Sequence, residues 1–85
     1  MAGLPLILSP SKDERDRLAR KLCDLLIEAR IASGLNQGQI GKAVGRSQSF
    51  VSNYERGQRR LDLPDLILVC RVLKVDPVEL LKKLS

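Results

Sequence analysis

Four residues near the middle of the chain carry side chains suited to reading another molecule: Gln48, Ser49, Ser52 and Asn53. Their spacing is i, i+1, i+4, i+5, so on a helix they share one face. The face bears short amides and hydroxyls, not the Glu/Lys mixture of an ordinary solvated surface. Gln and Asn can bond both polar positions of an adenine edge, and Ser can pair with several bases. A second set is basic: Lys42, Arg46, Arg56, Arg59 and Arg60 lie around that segment. Alone, such a cluster is an ordinary solvated loop; beside an amide-bearing helix it is a rim for phosphates.

Other chemistries lack their residues. Histidine is absent, which removes the usual general base and metal ligand. Cys23 and Cys70 are too far apart for a paired zinc spacing and too few for a disulfide framework. Both sit in apolar helical patterns, so they read as buried thiols of a reducing compartment. No metal and no cofactor is expected. Ser47, Ser49 and Ser52 have no neighbouring base to activate them. No glycine loop cradles a phosphate, and so short a chain leaves no room for a useful ligand pocket. The chain is read as not an enzyme. Phe50 and Tyr54 are its aromatic residues, too few for base-stacking platforms.

The elements that must position these residues follow from periodicity and punctuation. At 85 residues the chain allows one domain with a marginal core, and 44% hydrophobic content makes that core attainable. The formal net charge of +5 favours a polyanionic partner. Residues 1–10, held out of a helix by Pro5 and Pro10, form an apolar arm containing Leu4, Leu6, Ile7 and Leu8. The arm is either flexible or packed on a second subunit. Residues 11–85 form the domain. Ser11 and Glu14 make a capping box that opens a first helix running to about Ser33, with Gly34 beyond it. Leu18, Leu22, Leu25, Ala29 and Ala32 supply its apolar stripe.

Asn36 caps a second helix over Gln37–Val44, which Gly45 stops. Ser47 caps a third over Gln48–Glu55, ended by Gly57. Gly41 is small where these two helices approach, and Ile40, Val44, Val51 and Tyr54 fill the angle between them. Phe50, large on a half-exposed helix, is expected to pack against the protein. Pro64 opens a fourth helix, with Leu66, Val69, Cys70 and Leu73 inward. Asp76-Pro77 opens a fifth, Pro77–Leu84. No strand alternation, repeat or membrane-length apolar run of about 20 residues occurs. The chain is read as all-α, five helices, cytoplasmic and nucleoid-associated.

The stretch QGQIGKAVGRSQSFVSNYER, Gln37–Arg56, resembles the helix-turn-helix of the Cro/CI (XRE-type) regulator family. The resemblance runs over about Leu25–Leu81. It rests on Gln37, the small Gly41, Gly45 in the turn, Val51, the NYERG run of Asn53–Gly57, and LKVDPVELL at Leu73–Leu81. GRSQSFVSNYERGQRRLD resembles a subgroup of small bacterial members.

The resemblance implies a lambda-repressor-like domain and a transcriptional regulator, with repression the ordinary mode. Its reading helix, residues 48–55, would enter the major groove of double-stranded DNA as part of a homodimer on a two-fold operator. It implies that Gln48, Ser49 and Asn53 meet base edges, with Ser52 beside them. It implies that Gln37 bonds a phosphate and buttresses the first reading residue. It also implies that Arg30 and Glu55 form an ion pair. Leu81 and Leu84, with Leu6 and Leu8 of the arm, are candidates for the dimer interface. The alternative is an antitoxin or adaptor whose main partner is a toxin or a polymerase.

Overall fold

The computed structural model describes residues 12–85. The expected arm, with Leu6 and Leu8, and the expected Ser11 cap lie outside the described residues. Five helices follow in order: α1 Lys12–Ser33, α2 Gln37–Ala43, α3 Gln48–Glu55, α4 Leu63–Leu73 and α5 Pro77–Leu84. No strand occurs among the described residues.

Each short helix is fixed at both ends by side chains or turns that the sequence supplies. Asn36 accepts the Gln39 backbone N–H while the Gln39 side chain accepts the Asn36 N–H, a reciprocal capping box. Ser47, Asp62 and Asp76 cap α3, α4 and α5. The second helix stops one residue earlier than the apolar pattern suggests. Val44 still bonds the Ile40 carbonyl, but Gly45 takes φ +74° and Arg46 N–H turns back to the Gly41 carbonyl at 2.7 Å. That closure leaves Val44 as the C-cap. The same closure ends α3, where Gly57 has φ +77° and Gln58 N–H bonds the Asn53 carbonyl.

Leu26, Ile40, Val51, Tyr54, Val69 and Cys70 are essentially sealed from solvent, with Phe50, Leu66, Leu73 and Leu80 beside them. The core therefore draws on every helix, and the 22-residue α1 carries the others along its flank. On α1 the expected stripe is shifted. Leu22, Leu25 and Ala29 pack on the core, Leu26 is buried, Leu18 is 47% exposed, and Ala32 is exposed. Among the described residues, the first two turns of α1 (residues 12–18) are exposed.

Candidate nucleic-acid interface

Helices α2 and α3 meet at a closeness that only glycine permits. A Cβ on Gly41 would overlap the Ser47 carbonyl and crowd the Gln48 N–H, both backbone groups that cannot swing aside. This contact, with Ile40, Val51 and Tyr54 buried in the angle, fixes how α3 leaves the body. Gln48 and Ser49 are exposed at the start of α3, and Ser52 and Asn53 are half-exposed one turn on. The four expected reading residues thus lie along one accessible flank.

The side chains on this flank are already ordered by hydrogen bonds. Gln48 Nε2 donates to Gln37 Oε1 at 2.7 Å. Gln37 Nε2 donates to Glu55 Oε1 at 2.9 Å. Glu55 is paired with Arg30, Nε to Oε2 at 2.7 Å and Nη2 to Oε1 at 3.3 Å. Glu55 is 6% exposed and Arg30 20%, so the pair is largely taken out of water and each charge depends on the other. The hydrogen bond to Glu55 holds the Arg30 guanidinium still more firmly protonated. Asn53 Oδ1 accepts from Arg56 Nη2 at 2.9 Å, which fixes the far end of the row.

The basic residues divide into two groups. Lys42, Arg56 and Arg60 are exposed, and among the described residues no acidic side chain is paired with them. Arg46 and Arg59 do structural duty too. Their guanidinium carbons lie 4.9 Å and 5.0 Å from the centre of the Phe50 ring, which also meets Tyr54 edge-on at 5.6 Å. Phe50 is accordingly buried, as its size requires. Arg46 is further held by the buried Asp65, at 3.2 Å from Oδ2. Asp65 has no counterpart in the sequence reading. It sits 19 residues away in the first turn of α4, a separation that no local spacing links to Arg46.

Leu18, Leu22, Leu61, Val78, Leu81 and Leu84 line a solvent-open groove of about 1240 Å³ between α1 and α5, which reaches Glu55 at the end of α3 and Arg56, Arg59 and Arg60 just beyond it. The sequence left no room for a space of this size. Leu81 is 52% and Val78 57% exposed, while Leu84 is half-buried. Among the described residues no cluster of acidic or thiol groups could hold a metal ion. Burial pushes the Cys23 and Cys70 thiols up from their ordinary range; Cys70 is buried in the core and Cys23 is half-buried, donating to the Tyr54 carbonyl at 3.1 Å.

A family model described as a helix-turn-helix domain matches residues 21–82. Among solved structures, the chain is similar to an XRE-family like protein from Pseudomonas syringae pv. tomato str. DC3000. The two are 42% identical, with 86% of this chain and 89% of the other covered and a TM-score of 0.82. It is also similar to a point mutant of C.Esp1396I bound to its highest-affinity operator site, at 25% identity, 79% and 88% coverage and TM-score 0.70. A cyanate hydratase from Coprinopsis cinerea is 32% identical over 61 residues, which are 72% of this chain. The chain spans 40% of that curated relative's length.

Proposed function

We propose that this chain, which belongs to the helix-turn-helix domain family and within it to the XRE type, is a sequence-specific transcriptional regulator that reads double-stranded DNA as a homodimer and acts as a repressor. The observation that carries the reading is the exposed flank of α3. Gln48, Ser49, Ser52 and Asn53 stand clear of the core on a helix whose exit is fixed by the Gly41 contact. A rod of this width fits the major groove, where amides and hydroxyls distinguish bases. Lys42, Arg46, Arg56, Arg59 and Arg60 would supply the phosphate contacts that give affinity, and Gln37 one more from the start of α2. C.Esp1396I, of similar fold, has been solved on its operator site, which supports an operator as the partner here.

Dimerisation is supported by the groove between α1 and α5, whose Leu18, Val78 and Leu81 are exposed among the described residues. Leu84 sits at the same end, and Leu6 and Leu8 of the arm could add to the seal. A symmetric pair would place two reading helices on half-sites about one helical turn apart. Action on DNA places the protein in the cytoplasm, and no helix among the described residues is long and apolar enough to cross a membrane. Hydratase chemistry is not part of this reading, since the chain spans the smaller part of that enzyme.

Selection of bound duplexes from a random DNA pool tests the proposal. A two-fold site should emerge, and Gln48→Ala with Asn53→Ala should lose it while helical content stays intact. A double variant that selects the same site would refute the assigned reading face.

A further inference from the structure

The hydrogen bonds from Arg30 to Gln48 run in one direction, and the direction has a chemical origin. Arg30 has donors only, and an ionised carboxylate has acceptors only. Glu55, held by Arg30, therefore obliges Gln37 to turn its amide NH2 inward, as observed at 2.9 Å. The Gln37 carbonyl oxygen is then left facing Gln48, which must present an N–H to it, as observed at 2.7 Å. An amide is nearly symmetric in shape, so sterics alone would accept either orientation of Gln37 and Gln48. The carboxylate at the far end of α3 removes that freedom.

Resting on the DNA-reading proposal above, we propose that Glu55 is a positioning residue for sequence specificity: it fixes which way round Gln48 shows its amide to the bases. In the fixed orientation the Gln48 nitrogen lies on the Gln37 side and its free carbonyl oxygen on the far side. One N–H remains available beside that oxygen. This donor–acceptor order matches the N7 and N6–H of an adenine met in one orientation only. It opposes guanine, whose N7 and O6 are both acceptors. Gln48 is the residue that touches the base. Glu55 acts through Gln37 and meets no DNA.

Glu55→Gln should invert the relay. The new amide must give its oxygen to Arg30, so its NH2 faces Gln37. Gln37 then turns its oxygen inward and its NH2 outward, and Gln48 answers with its oxygen. Gln37→Met should break the relay without burying a polar group, since Gln37 is only half-buried.

Two measurements on the full chain test this. In the free protein, hydrogen exchange of the Gln48 side-chain NH2, followed by NMR, should be slowed in the wild type. It should be faster in both variants, where those protons have lost their acceptor. In selection from random duplexes, Glu55→Gln should bind with a changed base preference where Gln48 points and the same preference elsewhere. Gln37→Met should lose about tenfold in discrimination at that position. Its affinity could also fall, but equally for every sequence, if a phosphate contact is lost.

Equal Gln48 amide exchange in the wild type and Gln37→Met would overturn the relay, as would an unchanged preference in both variants. If Glu55→Gln unfolds, Gln37→Met decides the matter alone by the same two readouts. If the wild type selects no sequence at all, the DNA reading fails, and the exchange experiment still judges the relay.

Discussion

Two residues have costs that the structure makes definite. Gly41 faces the Ser47 carbonyl at a distance no side chain tolerates. Gly41→Ala should destabilise the fold by about 2–3 kcal/mol, because helix backbones must part to admit the methyl group. Urea denaturation would measure it, and affinity for DNA should fall as α3 shifts.

Tyr54 presents the opposite case. Its hydroxyl is buried and, among the described residues, has no hydrogen-bond partner. The ring holds its place against Phe50 and the core, so the oxygen is the costly part. Tyr54→Phe should leave stability at neutral pH unchanged or raise it by up to about 1 kcal/mol. Burial also pushes the Tyr54 hydroxyl far above its ordinary value of 10.0, with the Glu55 charge adding to the effect. The folded protein therefore keeps a proton that the unfolded chain releases above pH 10, so stability declines as pH rises beyond that point. Melting temperatures measured upward from pH 9 should fall less steeply in Tyr54→Phe than in the wild type.

At the scale of the elements, helix ends decide where the reading face sits. Helix α3 has eight residues, too few to persist without its cap and its packing. Ser47 accepts the Phe50 N–H at 3.3 Å, and Ser47→Ala should cost about 1 kcal/mol in thermal denaturation. Glycines at 34, 45 and 57 take positive φ where α1, α2 and α3 finish, and their residue type announced those stops. Helix α4 ends differently. Lys74 itself adopts φ 59°, with Val75 N–H closing on the Cys70 carbonyl. A Cβ in that conformation is unfavourable, so Lys74→Gly should stabilise the protein by about 0.5–1 kcal/mol. A lower melting temperature in that variant would contradict this account of the turn.

For the molecule as a whole, charge and apolar surface meet just past the end of α3, where Arg56, Arg59 and Arg60 line the same groove as Leu18, Val78 and Leu81. Exposed Arg60 follows α3, so Arg60→Gln should weaken binding about equally for all sequences and flatten the salt dependence by roughly one counterion. Affinity titrations at several salt concentrations would show it. The apolar lining of that groove comes largely from α1 and α5. Leu81→Lys would place a charge amid Leu18, Val78 and Leu84. Sedimentation should then report a shift from dimer toward monomer with helical content unchanged. A dimer of undiminished stability would move the interface elsewhere.

Much of this architecture follows from local chemistry, and local chemistry is what a sequence states directly. Asn36, Ser47, Pro64 and Asp76-Pro77 open helices because their side chains or rings satisfy or lack the N–H groups a helix start leaves over. The row Gln48, Ser49, Ser52 and Asn53 shares a flank because helix geometry leaves no alternative. What tertiary structure alone decided was partnership across long separations. Arg46 with Asp65, Arg46 and Arg59 astride Phe50, and the exposure of Leu18 on α1 depend on how whole helices cross. The direction of the Gln37–Gln48 bond is of the same kind. It is set by a carboxylate 18 residues from Gln37, because an acceptor placed at one end of a hydrogen-bond chain orients every amide in it.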